Sequence, residues 1–275
     1  GPGTPLGEDF LIVDAHVHLG REDLRGDRLV EEADALGIDK LVVFNDAIGE
    51  GPGYDDVLAA AEKHPDRLVP FAYLELGTHV TTDVEDMAAQ GFRGFKIIRP
   101  KSDYNDPCYF PLYETAQGLG RILLFHLGVV AVSRGDRERG TDSSRMRPIF
   151  LDSICRQFPD LVVWGAHLGN PWYEEAAMLC RWHVNLYFDI TGSSLKAKPP
   201  EFFGQLLWWH GNAQYGDKRG RGPWDKILFG TDVSIDMMGD VMSDYRRLME
   251  ALDLPAETRA AVMGGTAASL LGIGG

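Results

Sequence analysis

Cysteine is scarce: 275 residues hold three, Cys108, Cys155 and Cys180. Their odd number and wide spacing give no disulfide framework and no C-x-x-C site. A chain of this length buries enough apolar surface to fold without cross-links. A reducing cytoplasm is the expected compartment. No apolar run approaches the ~18 residues of a membrane span, and no basic-then-apolar signal opens the chain. Bases are also few: 27 Lys and Arg stand against 41 Asp and Glu, a net charge of −14. That excludes the basic footprint that nucleic acid or an anionic membrane would need. No glycine-rich phosphate loop follows the first apolar run, as a dinucleotide-binding doubly wound sheet would require. No internal repeat and no Pro- or Ser-rich linker divides the chain.

What is there is alternation. Eight short runs rich in Val, Ile, Leu and Phe read as buried parallel strands: Phe10–Val17, Lys40–Phe44, Leu68–Leu74, Phe92–Ile98, Arg121–Leu127, Leu161–Ala166, Val184–Ile190 and Lys226–Thr231. Helical spacing fills the intervals, as in Arg28–Leu36, Asp55–Lys63 and Tyr173–Trp182, and Val241–Leu252 follows the last strand. Strand–helix alternation repeated eight times predicts a single α/β domain, a (β/α)₈ TIM barrel over residues 10–275. Residues 1–9 read as an N-terminal tail, its Gly1-Pro2-Gly3 a cloning remnant. Residues 256–275 are expected to form short helices capping the barrel.

The polar residues that end the apolar runs carry the functional signal. Strand one ends in His16 and His18, strand five in His126, strand six in His167 and strand eight in Asp232; strand four carries Lys96. In a barrel, strand C-termini meet at one rim, where active sites lie. His16 and His18 are two apart, so both point to one face of the strand and can hold one metal ion. A third imidazole and a carboxylate complete a mixed N/O site suited to Zn²⁺, Mn²⁺ or Fe²⁺. A single histidine is more often a satisfied core or surface residue. Four of eight histidines at strand ends, three of them before a Leu-Gly pair, favour the metal. Asp232 reads as ligand and base in preference to a helix cap. Asp14 shares the parity of the two histidines and is expected to orient one of them from behind. Asp189 is expected to do no more than bond a loop. Lys96 could be carbamylated and bridge two ions, could act as a cation toward a substrate oxygen, or could form an ion pair; a cationic or directly metal-facing role is favoured over carbamylation.

These residues together resemble the amidohydrolase superfamily: Asp14-x-His16-x-His18, Lys96, Phe125-His126-Leu127-Gly128, Ala166-His167-Leu168-Gly169 and Phe229-Gly230-Thr231-Asp232. The similarity runs from about Ile12 to Leu271 and is nearest the amidohydrolase-related branch, which also holds decarboxylases of the aminocarboxymuconate-semialdehyde type. The resemblance implies one or two divalent ions, zinc first, at the C-terminal rim. His16, His18, His126 and Asp232 would be ligands. His167 would be a further ligand or a catalytic residue. Two departures stand out. Lys96 is followed by Ile97 where relatives often have His-Pro, and Gly265-Thr266-Ala267 replaces Gly-Asn-Ala, which is expected to change only a helix cap.

Hydrolysis of an amide, lactone or ester by metal-activated water is the favoured reaction. Asp232 would move the proton, with His167 and Lys96 stabilising the oxyanion. Non-oxidative decarboxylation of a small unsaturated or aromatic acid is the alternative on the same residues. The segment 129–148 carries five arginines against three acids, so it reads either as a lid for an anionic substrate or as a solvated loop with internal ion pairs. Arg99, Arg145 and Arg147 are the candidates for a substrate carboxylate. His79 is a weaker rim candidate, and His64 and His183 read as helix-end residues. Trp208-Trp209 read as helix–barrel packing with an option on self-association. The expected partner is a small molecule, with neither nucleic acid nor membrane.

Overall fold

The computed structural model describes residues 10–45, 51–211 and 214–274; the tail at 1–9 lies outside them. Eight parallel strands stand in the order of the sequence: β1 Val13–His18, β2 Lys40–Phe44, β3 Leu68–Tyr73, β4 Gly94–Ile97, β5 Ile122–Phe125, β6 Val163–Gly165, β7 Leu186–Asp189 and β8 Ile227–Leu228. Two backbone bonds close the ring between the last strand's end and the first: Ala15 N–H to Phe229 O at 3.0 Å and Asp232 N–H to His16 O at 2.8 Å. The main helices are α1 Asp27–Leu36, α2 Tyr54–Lys63, α3 Thr81–Gln90, α4 Phe110–Gly118, α5 Phe150–Gln157, α6 Tyr173–Trp182, α7 Pro200–Leu206 and α8 Met238–Ala251. The single-domain TIM barrel expected from the alternation is the observed fold.

Two apolar layers hold it. Alternate strand residues such as Phe44, Phe71, Leu124 and Trp164 fill the barrel. Their neighbours, such as Leu41, Val43, Leu123 and Val163, pack under the helices. Short helical turns over 256–271 close the bottom, and Ala267, Ala268 and Leu271 join the inner layer. Gly264 is needed there, because a Cβ would lie 2.1 Å from Leu11 O. Thr266 caps no helix; its hydroxyl donates to Asp225 O at 3.1 Å.

Most strands are shorter than the apolar runs; β2 has the expected bounds, Lys40–Phe44, and β1 ends at His18, one residue beyond its run. Lys226 was expected to open β8 but lies in a turn, its buried ammonium bonded to the carbonyls of Cys180 and His183 and 3.3 Å from Asp217 Oδ2. Above β8, Phe229 N–H bonds Val262 O in the C-terminal turns, at 2.8 Å, and the chain then leaves the sheet.

Candidate active site

β1 carries a bulge: Asp14 pairs with Leu41 and Val17 with Val43, so three steps on β1 match two on β2. A bulge reverses side-chain parity beyond it. Asp14 therefore shares the outer row with Leu41, whereas His18 stands opposite Phe44 on the inner row. The expectation that Asp14 orients a ligand histidine fails for this reason. Its carboxylate instead accepts from Thr231 N–H at 3.0 Å, Thr231 O–H at 2.6 Å and His16 N–H at 3.2 Å. It thereby pins the turn that presents Asp232. Burial pushes its carboxyl up to about 7 against those donors.

Asp189 at the end of β7 does what was assigned to Asp14. Its Oδ2 lies 2.8 Å from Nδ1 of the fully buried His16. Its Oδ1 accepts the backbone N–H groups of His167, at 2.9 Å, and Thr191, at 3.1 Å. Burial alone would raise Asp189, but His16, His167 and the Thr191 hydroxyl together outweigh it and bring the carboxyl down to about 2. Burial lowers His16 to about 4, with the Lys96 charge acting the same way, so its ring is neutral. An aspartate at a strand end was visible in the sequence; its distant partners, 22 and 173 residues away, were not.

Asp232 is the centre of the rim. Oδ1 lies 3.4 Å from His16 Nε2 and 3.1 Å from His18 Nε2, and Oδ2 lies 3.6 Å from His167 Nε2. Burial would raise its carboxyl, but the neighbouring His16, His18 and His167 outweigh burial and hold it well below the usual carboxylate range. Ligand atoms of His16, His18 and Asp232 lie within 4.8 Å of one another. Two imidazole nitrogens and a carboxylate oxygen at that spacing fit a divalent ion of the zinc, manganese or iron class.

His126 and His167 fall outside that cluster but adjoin it, with ring centroids 5.0 Å apart and His167 5.6 Å from His16. Nε2 of His126 lies 3.3 Å from Gly128 O. Burial, with His167 and Lys96 close by, pushes its pKa well below the ordinary imidazole value. Lys96 is 3% exposed, its Nζ 3.2 Å from His16 Nε2 and 4.7 Å above the Phe44 ring. His18, by contrast, is 42% exposed, beside a cavity of about 540 Å³ that Val17, Leu29, Val233 and Ile235 also line.

The arginines divide. Arg147 pairs with Glu175 and stacks 5.2 Å from the Trp172 ring. Arg145 bonds Gly140 O at 3.1 Å and Pro100 O at 3.5 Å. Arg139 pairs with Asp136 inside the segment 129–148, while Arg147 and Arg145 also reach outside it. Arg99 is largely buried, with Nε 3.8 Å from Asp136 Oδ1. His79 serves its own turn, accepting from Glu75 N–H at 2.9 Å. Trp209 is buried in the core, and Trp208 is half exposed.

Comparison with known proteins bears on fold and family. No curated protein is similar enough to match. A solved TIM-barrel protein from Bordetella bronchiseptica is similar at 21% identity, over 95% of this chain and 98% of its own, with a TM-score of 0.67. The 5-carboxyvanillate decarboxylase of Sphingomonas paucimobilis is similar at 13% identity over 97% and 100% of the two chains, also at 0.67. A probable 2-pyrone-4,6-dicarboxylic acid hydrolase from Acinetobacter baumannii shares 14% identity over 95% and 99%, at 0.63. At these identities the likeness is one of fold. The amidohydrolase family model matches residues 13–273, nearly the whole barrel with every rim residue described above, and the chain belongs to that family of enzymes.

Proposed function

We propose that this enzyme hydrolyses a lactone, ester or amide bond in a small carboxylate-bearing molecule. The reading includes a divalent ion, zinc first, held by His16, His18 and Asp232, with His126 and His167 as further ligands. Bound there, the ion supplies Lewis-acid polarisation and a nucleophilic water near neutral pH. The chain's own groups supply the proton transfers. Asp232 engages the two β1 histidines through Oδ1 and keeps Oδ2 toward His167. A carboxylate in that position can take a proton and pass it to the leaving group. The Lys96 ammonium, buried at the rim, stabilises negative charge developing on a substrate oxygen. Arg99, which follows β4 at the rim, recognises the substrate carboxylate; Arg145 and Arg147 are engaged by the loop and by Glu175.

The observation that carries hydrolysis is the Asp232 carboxylate set among three imidazoles, its Oδ1 3.4 and 3.1 Å from Nε2 of His16 and His18 and its Oδ2 3.6 Å from Nε2 of His167. Hydrolysis starts by removing a proton from water and needs an acceptor. Decarboxylation finishes by delivering a proton to carbon and needs an acid at rest. The names of the two similar enzymes supply the test compounds. The protein would be given 2-pyrone-4,6-dicarboxylic acid and 5-carboxyvanillate, with ring-opened product and carbon dioxide measured on each. Hydrolysis without carbon dioxide is expected; carbon dioxide without hydrolysis overturns the reading. His16→Ala and His18→Ala are expected to lose metal while keeping the parent circular dichroism, and full occupancy in either removes that histidine from the ligand set.

A further inference from the structure

Two short contacts at Thr191 decide where a proton sits. Its Oγ1 lies 2.6 Å from Asp189 Oδ1 and 2.6 Å from His167 Nδ1. A hydroxyl has one hydrogen to donate. Asp189 already accepts the His16 ring and two backbone N–H groups. A carboxylate so surrounded is ionised and can only accept. The Thr191 hydrogen therefore goes to Asp189, and the contact with His167 requires Nδ1 of the imidazole to donate. With its hydrogen on Nδ1, the imidazole has its other nitrogen, Nε2, 3.6 Å from Asp232 Oδ2, and in the tautomer so fixed that atom carries the lone pair. His16 repeats the pattern: Nδ1–H donates to the other oxygen of Asp189, and the Nε2 lone pair meets the Lys96 ammonium.

We infer that Thr191 is a positioning residue: its hydroxyl relays Asp189 to Nδ1 of His167, so that one buried carboxylate turns the Nε2 lone pairs of both His16 and His167 toward Asp232. The backbone is arranged for this contact. Gly192 has φ 73°, and a Cβ there would approach His167 Nδ1 to 3.1 Å. His167 itself is left-handed, φ 63°, and its N–H is held by the same Asp189 oxygen that accepts from Thr191.

The kinetic consequence rests on the function proposed above; the tautomer does not. With its lone pair at Nε2, His167 enters the reaction as a proton acceptor or a ligand. It does not begin as a hydrogen-bond donor to the carbonyl oxygen, the role the sequence had let it share with Lys96, so that donor role falls to Lys96.

The test reads the tautomer directly. Histidine is ¹⁵N-labelled, the protein is stripped with chelator, and long-range ¹H–¹⁵N correlations distinguish Nδ1–H from Nε2–H, with His167→Asn assigning the signal. The parent and Thr191→Ser are expected to show Nδ1–H at His167. Thr191→Val is expected to move it toward Nε2–H and leave His16 unchanged. An Nε2–H signal in the parent overturns the inference whether or not the valine variant folds. An unchanged Nδ1–H signal in folded Thr191→Val overturns it as well. No ion or substrate enters this measurement, so a failure of the proposed reaction and a failure of the relay are separate results. On turnover, Thr191→Val is expected to lose about 10–100-fold in kcat, the usual effect of removing a partner that orients a site histidine. KM should stay within a few-fold, and Thr191→Ser should restore kcat. Equal losses in both variants would make Thr191 a packing residue and overturn its positioning role.

Discussion

Asp232→Asn separates the two jobs given to one carboxylate. Asparagine keeps the size and one oxygen, so the approach of Oδ1 to His16 and His18, at 3.4 and 3.1 Å, can survive. Asp232 is left-handed, φ 50°, a conformation that asparagine tolerates as well as aspartate. The substitution therefore adds no backbone strain. What is lost is the ability to take a proton near neutral pH. General-base function is worth about 10²–10⁴-fold, which is about 3–5 kcal/mol of barrier at ~1.4 kcal/mol per decade. The assay is kcat on metal-reconstituted variant with metal content measured in the same sample. A fall of at least about 100-fold at full occupancy is expected. If kcat stays within a few-fold of the parent, Asp232 is a ligand only, and His167 becomes the proton-transfer residue.

Further expectations follow from the same contacts. Arg99→Gln should lower kcat/KM for a carboxylate substrate more than for its neutral analogue, whereas Arg147→Gln, which removes a pair with Glu175, should leave that ratio unchanged; equal effects would end the assignment of Arg99. Lys226→Met removes a buried ammonium from two carbonyls and Asp217 and should cost about 3–5 kcal/mol in denaturant unfolding, so a loss under about 1 kcal/mol would refute the role of that network. Burial would raise the Asp217 carboxyl, but Lys226 and Arg221 outweigh it and hold it below the ordinary range. Its stabilisation is therefore present above that range and lost as pH falls through the lower folded value, so Asp217→Asn should flatten the acid limb of the stability profile. Arg99→Gly and Arg99→Ala should lose the same activity, but the glycine variant should be more stable by about 0.5–1 kcal/mol, since Arg99 has φ 52° and only glycine relieves it.

The barrel was legible because each strand is a continuous apolar run and each run ends in turn chemistry. The rim histidines were legible for the same reason, a polar residue breaking an apolar strand. Strand ends were overextended, as at Lys226, because a buried lysine aliphatic stem looks apolar and its ammonium partners are carbonyls that no sequence pattern marks. Asp14 was misassigned because parity assumes a regular strand, and the bulge between Asp14 and Val17 leaves no trace in residue type. Nothing in the sequence marks Thr191. A threonine after a strand is ordinary, and its meaning comes from the His167 ring 24 residues earlier in the chain.

The rim is also where the backbone is strained. Among the described residues, five other than glycine have positive φ, and four of them, Arg99, His167, Leu168 and Asp232, follow strand ends at the catalytic face. Each such conformation costs on the order of 1–3 kcal/mol and persists only if its surroundings over-determine it. At two of the four, His167 and Asp232, the surroundings include a buried aspartate. Asp189 holds the His167 N–H, and Asp14 holds the N–H and hydroxyl of Thr231, next to Asp232, whose own N–H is held by His16 O. Asp189, which fixes the turn at His167, also receives the His16 ring, whereas Asp14 acts through the turn that presents Asp232. One carboxylate deep in the rim can align several groups at once because the barrel brings the ends of β1, β6, β7 and β8 to a single place. That convergence explains why the residues most consequential for the site's geometry, Asp14 and Asp189, are ones that contact no ion or substrate in the proposed reaction.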